Sequence, residues 1–186
     1  MRGEGHFTRA LSTVPVCELQ ETLVRRVPLL PMTTPRAVDF LFTSGKANRY
    51  NPRGVWCVYF AENEATAAAE YDRHNTGKRQ PFVTYFAQVQ LRRVIDLCNA
   101  DPVAALGLAT SDLKAPWVGA RKPTATQNLG EAVNQQGDIA AIRFPSEAAR
   151  AKGLTGANLV IFRACVQRPD HVQILGPTMK PLQKWP

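Results

Sequence analysis

The stretch that most constrains the fold is "VWCVYFAENEATAAAEYDRHN", residues 55–75. Residues 55–62 are almost continuously apolar and rich in β-branched and aromatic side chains, which predicts a strand buried on both faces. Asn63 then stands where a helix cap is expected, and Glu64 follows in the first turn, where the helix dipole favours an acid. The alanine-rich segment beyond predicts a helix that ends near Gly77. A buried strand therefore leads directly into a helix.

The other predicted elements place strands early and late in the chain, with helices between them. Strands are predicted over residues 22–30, 82–91, 93–97, 138–144, 157–166 and 171–175, and helices over 33–46, 101–108 and 126–137. The segments within 82–97 fit either two strands or one bent strand. Because strands and helices do not alternate strictly, the order favours an α+β fold over a doubly wound parallel sheet. The length of 186 residues fits a single domain, and residues 177–186 are predicted to be a loosely held end.

Composition excludes several classes of protein. Hydrophobic residues make up 45% of the chain, but no apolar run approaches the roughly 20 residues that span a bilayer. The first 15 residues lack the apolar core of a signal peptide, so we expect a cytoplasmic protein. Four scattered cysteines, of which Cys57, Cys98 and Cys165 lie in apolar contexts, predict reduced thiols in the core. The three scattered histidines predict no metal site.

The formal net charge of +8 favours a negatively charged partner. Lys and Arg occur as short pairs spread along the chain, without the interleaved aromatic residues of a nucleic-acid stacking platform. Charge alone therefore fits nucleic acid, a phosphate-rich small molecule or an acidic protein. The sequence also lacks the GxGxxG and GxxxxGK[ST] loops that hold nucleotide phosphates, so a nucleotide would have to be held in another way.

Glu70 lies on a helical lane of small and polar side chains. At helical spacing it shares a face with Asn63, Ala67 and His74, and the small residues beside it would let a bulky group approach. On this pattern alone two interpretations stay open. The carboxylate is either aimed at a cleft or is a solvated surface acid, since glutamate is almost always exposed.

Two blocks of the sequence resemble the signature of the RES domain family. The first block, residues 48–74, follows the family pattern of arginine, aromatic residue and asparagine, then glycine, a strand ending in tyrosine and a helix with glutamate. The matching residues are Arg49, Tyr50, Asn51, Gly54, Tyr59 and Glu70. The second block, residues 140–162, resembles the later family segment in which a serine precedes a strand of the type Asn-Leu-Val, and Ser146 is the match. An upstream family arginine is matched by Arg26, with Arg25 as the alternative.

The resemblance implies a fold like that of ADP-ribosyltransferases, with a mixed sheet at its core and helices beside it. Proteins of the RES domain family are typically toxins of toxin-antitoxin pairs that consume NAD+. In this chain the resemblance places an NAD+-binding catalytic domain at residues 22–176, after an N-terminal extension at 1–21 and before a C-terminal tail at 177–186. The implied substrate is NAD+, and no metal is implied.

The resemblance also gives each matched side chain an expected role. Glu70 would stabilise the oxocarbenium-like ribose, and no general acid is needed because nicotinamide is already a cationic leaving group. Arg49 and Arg26 would hold pyrophosphate oxygens. Tyr59 would stack on nicotinamide or pack beside it. Ser146 would position ribose or phosphate, although a serine at this point is also a natural helix cap.

The implied partners are an antitoxin and an acceptor for ADP-ribose. The antitoxin would be Xre-like and would present acidic groups to the basic toxin, and nucleic acid would be contacted only through it. The acceptor is a target protein, phosphate or water, a choice that the sequence leaves open. A rival hypothesis, based on the basic charge, is a nucleic-acid-binding or RNA-cleaving protein in which His74 near Glu70 acts as a base.

Overall fold

The computed structural model describes residues 4–29, 41, 46–75 and 80–186. Its helices are α1 (Glu4–Ala10), α2 (Glu64–His74), α3 (Ala100–Ala105), α4 (Thr110–Lys114), α5 (Ala125–Gln136) and α6 (Glu147–Ala151). Its strands are β1 (Cys17–Pro28), β2 (Cys57–Ala61), β3 (Phe82–Asp96), β4 (Ala141–Pro145), β5 (Ala157–Phe162), β6 (His171–Leu175) and β7 (Pro181–Trp185). As the sequence predicts, strands and helices do not alternate strictly.

The strands of the described residues form one sheet in the order β1-β2-β5-β4-β3-β6-β7. β3 runs parallel to β4, and the other neighbours are antiparallel. β1 also pairs with β3, from Cys17 opposite Val94 to Pro28 opposite Phe82. Because that pairing joins two strands that are not neighbours in the order, β1, β2, β5, β4 and β3 close into a ring.

Two apolar clusters pack against the sheet. One lies among β1, β3 and β6 and includes Tyr85 and Ile174. In the other, α1 and α5 bury Phe7 and Leu129 against sheet residues such as Ile142. Removing these side chains from water is the main favourable contribution to folding. The predicted architecture, a single α+β domain with a mixed sheet and helices beside it, is confirmed.

The junction of β2 and α2 follows its sequence signals. β2 is buried along nearly its whole length, as predicted. Asn63 caps α2, since its side-chain oxygen accepts a hydrogen bond from the backbone N–H of Thr66 at 2.8 Å. The helix ends at His74, and the side chain of Asn75 donates to the carbonyl of Tyr71 at 2.8 Å. The expected stop at Gly77 lies outside the described residues.

Small side chains let α2 pack closely on two neighbours. Ala67 contacts Val24 of β1 and Ala61 of β2. Ala69 packs against Ala148 and Ala149 of α6. The alanines therefore serve close packing as well as helix propensity, and they fix the helical turn that carries the candidate acid.

The chain ends differ from expectation. The prediction of a loosely held end at residues 177–186 is wrong, because Pro181–Trp185 pairs with the open edge of β6 and buries Trp185. The predicted N-terminal extension, residues 1–21, contains α1 and the first residues of β1. Its side chain Phe7 is fully buried in the core.

Three further segments complete the comparison with the sequence. The segments at 82–91 and 93–97 form one continuous strand, β3. The helix predicted over 33–46 lies almost wholly outside the described residues. All four cysteines are free thiols, but only Cys57 and Cys165 are buried, so the prediction of core thiols is wrong for Cys17 and Cys98. Cys98 was expected in an apolar setting. It is exposed in the turn after β3, where its backbone N–H donates to the carboxylate of Asp96 at 3.0 Å.

Candidate active site

A cleft of about 570 Å³ lies between α2, the sheet and the loops at 46–51 and 115–124. This volume is in the range of roughly 300–1,000 Å³ that is usual for small-molecule and cofactor sites. Four of the five predicted site residues line it: Arg26, Arg49, Tyr59 and Glu70. The fifth, Ser146, is 2% exposed and bonds directly to the acid that lines the cleft.

The carboxylate of Glu70 is held on one side. Its Oε1 accepts a hydrogen bond from Ser146 Oγ at 2.7 Å and another from Asn158 Nδ2 at 2.7 Å. Its Oε2 lies 4.0 Å from Nε2 of His74. The side chain of Glu70 is 26% exposed. Glu70 is therefore a carboxylate fixed by the fold at the cleft wall, and the interpretation as a freely solvated surface acid is wrong.

Ser146 has two structural tasks at once. It caps α6, because its Oγ accepts from the backbone N–H of Ala149 at 3.0 Å. The same hydroxyl donates its hydrogen to Glu70, and the backbone N–H of Ser146 donates to the carbonyl of Gly156 at 2.8 Å. The helix-cap interpretation is confirmed. Donation by this hydroxyl to a ribose or phosphate oxygen would require the bond to Glu70 to break, because the hydroxyl has a single hydrogen.

The loop that carries Arg49 is tied to the domain on both sides. Asn48 pairs with Asn51 across the turn at 2.9 Å, and Gln127 of α5 donates to the carbonyl of Asn48 at 2.9 Å. Gly130 of α5 permits this close approach, since a Cβ there would lie 1.6 Å from the carbonyl oxygen of Tyr50. The guanidinium of Arg49 is half-buried and donates to the carbonyl of Leu113 at 2.7 Å. Among the described residues, no hydrogen-bond partner is seen for its other donors.

Tyr59 braces that loop from β2. Its hydroxyl donates to Asn51 Oδ1 at 3.0 Å and accepts from the backbone N–H of Tyr50 at 3.0 Å. Burial raises the pKa of Tyr59 well above its ordinary value, so the hydroxyl stays protonated and able to donate. The polar end of Tyr59 is thus occupied within the protein. Tyr59 lines the cleft, and its predicted contact with nicotinamide stays a prediction.

Arg25 and Arg26 point to opposite faces of β1, as adjacent strand residues do. Arg25 donates through one nitrogen to the carbonyls of Leu41 at 2.5 Å and Tyr59 at 3.1 Å. Burial lowers the pKa of Arg25 to about 10, which leaves it a cation at neutral pH. The hydrogen bonds described for the Arg25 guanidinium therefore go to backbone carbonyls of the protein.

Arg26 is less fully engaged. Its guanidinium lies 4.7 Å from the centre of the Phe82 ring and 3.9 Å from the carboxylate of Glu64, which is itself 66% exposed. The Nε of Arg26 is buried and has no hydrogen-bond partner among the described residues. A buried donor without a partner is costly unless a ligand or water meets it. Arg26 therefore has more spare capacity for an anion than Arg25.

Sequence reasoning missed several residues that line the cleft, among them Asn158 and Trp117. Asn158 lies near the start of the apolar strand β5, and an amide there is unusual enough to have signalled a role, because asparagine is depleted in strands. Trp117 lines the cleft from the loop at 115–124, which has no periodic pattern that could have marked it.

The charges of the cleft are unequal. Among the described residues, four arginines and two glutamates line it: Arg25, Arg26, Arg49, Arg73, Glu70 and Glu147. The excess of positive charge suits a ligand with phosphate groups. A fixed carboxylate in the same cleft suits a ligand that also develops positive charge.

Two features are absent from the described ranges of the chain. No helix there is long and apolar enough to cross a membrane. No group of three or more His, Cys, Asp or Glu side chains is placed there to hold a metal ion.

Comparisons with known proteins identify similar sequences and structures. A family model described as RES domain matches residues 24–180. Among solved structures, a chain of the crystal structure of the M. tuberculosis MbcT-MbcA toxin-antitoxin complex is similar, with a TM-score of 0.61 and 17% sequence identity. The similarity covers 97% of this chain and 91% of that chain, and at this identity it shows a shared fold. A search of the curated proteins returned no match.

Proposed function

The chain belongs to the RES domain family, and from this premise we propose that it is the toxin of a toxin-antitoxin pair and cleaves NAD+ in the cytoplasm. The bond that breaks joins nicotinamide to ribose. The observation that carries the proposal is the fixed carboxylate of Glu70 in an arginine-lined cleft. A shared fold with a chain of a toxin-antitoxin complex supports it.

Glu70 would act on the sugar and not on the leaving group. Nicotinamide departs from NAD+ as a neutral molecule, because its ring nitrogen takes the electron pair of the bond and loses its positive charge. Positive charge then develops on the ribose, as in glycoside cleavage. The Oε2 of Glu70 would accept a hydrogen bond from a ribose hydroxyl and stabilise that charge. One carboxylate suffices for this step.

Arginines would hold the pyrophosphate in place of a glycine-rich loop. In the described part of the chain, Arg49 bonds only to Leu113, and the buried Nε of Arg26 has no partner there. Both line the same cleft as Glu70. The planar fork of a guanidinium suits paired phosphate oxygens. Trp117, on the opposite loop, would give an aromatic ring of the ligand an apolar wall.

The acceptor of ADP-ribose decides how such a toxin acts. Transfer to water or phosphate would deplete NAD+, whereas transfer to a protein would inactivate that protein. Mass spectrometry of reactions with NAD+ alone, with phosphate and with cell lysate separates these outcomes. We expect NAD+ to be consumed in at least one of them, with ADP-ribose found on the acceptor. Unchanged NAD+ in all three would contradict the proposal.

An antitoxin partner is part of the same proposal. The formal charge of +8 would steer an acidic partner, and a partner carboxylate could occupy the position of a pyrophosphate oxygen on Arg49 or Arg26. Silencing would then be direct competition for the cleft. We expect the antitoxin to be Xre-like.

Competition makes a prediction for the purified toxin-antitoxin complex. The complex is expected to bind NAD+ at least about tenfold more weakly than the free toxin, because the two ligands share arginines. Isothermal titration of both preparations with NAD+ measures the difference. Removal of the inserted carboxylate from the antitoxin should restore binding. Equal affinities of the complex and the free toxin would show that silencing works in another way.

A further inference from the structure

Asn158 is the second residue of β5 and lies opposite Ala61 of β2 and Phe144 of β4. Its position in the middle of three paired strands fixes its backbone on both sides. Its amide nitrogen reaches across to α2 and donates to Oε1 of Glu70 at 2.7 Å. The sheet thus positions a donor for an acid that belongs to a helix.

We propose that Asn158 is a positioning residue that, together with Ser146, fixes Oε1 of Glu70 and leaves Oε2 as the oxygen that meets the substrate. The proposal rests on the proposed NAD+ cleavage by Glu70. It assigns Asn158 no contact with NAD+. It also makes the buried hydroxyl of Ser146 act through Glu70, in keeping with its 2% exposure.

Two donors on one oxygen have a specific effect. Hydrogen bonds to an ionised group are short and strong, and both bonds here measure 2.7 Å. Together they select one orientation of the carboxylate out of those that a free glutamate would sample. They come from elements far apart in the chain, α6 and β5, so the orientation depends on the folded domain. The second oxygen, Oε2, then already faces the cleft before substrate binds, so the carboxylate does not have to reorient in each turnover.

An isosteric substitution can separate positioning from space filling. Asn158→Asp keeps the shape but replaces the donor with a carboxylate 2.7 Å from Glu70, and two carboxylates so close repel. Asn158→Ala removes the donor without adding a charge. Positioning therefore predicts that the Asp variant is worse than the Ala variant. Space filling predicts the reverse order.

The other charged residues near Glu70 are the same in both Asn158 variants. His74 lies on the same helix, and Glu147 lies on α6. Arg26, Arg49 and Arg73 line the cleft around them. A change between the two Asn158 variants therefore reports the group at position 158.

The test compares kcat and KM for nicotinamide release from NAD+ by the wild type and the two variants. For Asn158→Ala we expect kcat to fall on the order of 10- to 100-fold while KM changes less than about threefold, because the proposed role acts through Glu70 and not through a contact with substrate. Asn158→Asp is expected to lose more. Asn99→Ala is the matched control, since it removes an exposed amide that donates to Asp96 at 2.9 Å outside the cleft.

Crystal structures of the wild type and Asn158→Ala give a readout that does not need activity. We expect the Glu70 carboxylate to take more than one orientation in the variant. A single, unchanged orientation would overturn the inference, whether or not NAD+ is cleaved. If the wild type is active and the kcat of Asn158→Asp equals or exceeds that of Asn158→Ala, the inference is also overturned. An inactive wild type would refute the proposed function alone.

Discussion

Glu70→Gln is expected to slow nicotinamide release from NAD+ by at least roughly 10²- to 10³-fold, the scale of losing one preorganised electrostatic contact to a transition state. Glutamine keeps the size of the side chain and an oxygen that can accept from Ser146 and Asn158. It loses the negative charge that faces the ribose. The loss should therefore lie in kcat, with little change in the affinity for NAD+.

Asp72→Asn is the matched control for Glu70→Gln. Asp72 lies on the same helix, two residues further on, and pairs with the exposed Lys152 outside the cleft. The substitution removes the same charge from α2 without touching the cleft. Both variants should unfold at temperatures close to that of the wild type. If Glu70→Gln kept near wild-type turnover, the catalytic role of Glu70 would be wrong.

Arg49→Ala is expected to raise the Kd for NAD+ by roughly 10- to 100-fold, the equivalent of about 1.5–3 kcal/mol for a lost hydrogen bond to a charged group. The pyrophosphate is charged in the bound substrate as well as in the transition state. The contact is therefore made before the reaction begins, and its loss appears in binding. The same titration should find a smaller change for Glu70→Gln.

Arg93→Ala separates the local contact from the general charge of the protein. Arg93 is half-exposed and pairs with Asp138 at 3.2 Å, away from the cleft. Its loss lowers the net charge by the same amount as the loss of Arg49 and should leave the Kd nearly unchanged. Arg49→Lys, which keeps charge but not the planar fork, should fall between wild type and Arg49→Ala. Equal Kd values for Arg49→Ala and Glu70→Gln would contradict the division of roles.

The fold was most predictable where local signals agree. The apolar run of β2 and the cap at Asn63 each depend on neighbouring residues, and each lies where the sequence indicates. The pairing of β1 with β3 was not predictable. It joins residues far apart in the chain, such as Pro28 and Phe82, and nothing in the sequence around either residue indicates its partner. The last strand, Pro181–Trp185, was missed for a similar reason: it depends on the free edge of β6.

In the candidate site, too, local sequence patterns were predictive and contacts between distant residues were not. The family pattern identified Glu70 and Arg49, and both line one cleft. The two bonds that hold Glu70 come from residues 76 and 88 positions away, so no spacing rule could reveal them. Tyr59 was expected at the ligand, but its hydroxyl is engaged by the Arg49 loop, which a linear pattern does not distinguish from a ligand contact.

The central claim is that this cleft breaks the bond between nicotinamide and ribose. The most direct measurement is proton NMR of NAD+ incubated with the purified chain, free of any partner, with Glu70→Gln as the comparison. We expect free nicotinamide to appear at a rate proportional to the wild-type protein, as the NAD+ signals fall by the same amount, and the variant to be nearly silent. An unchanged NAD+ spectrum with folded wild-type protein, or equal release by the variant, would contradict the claim.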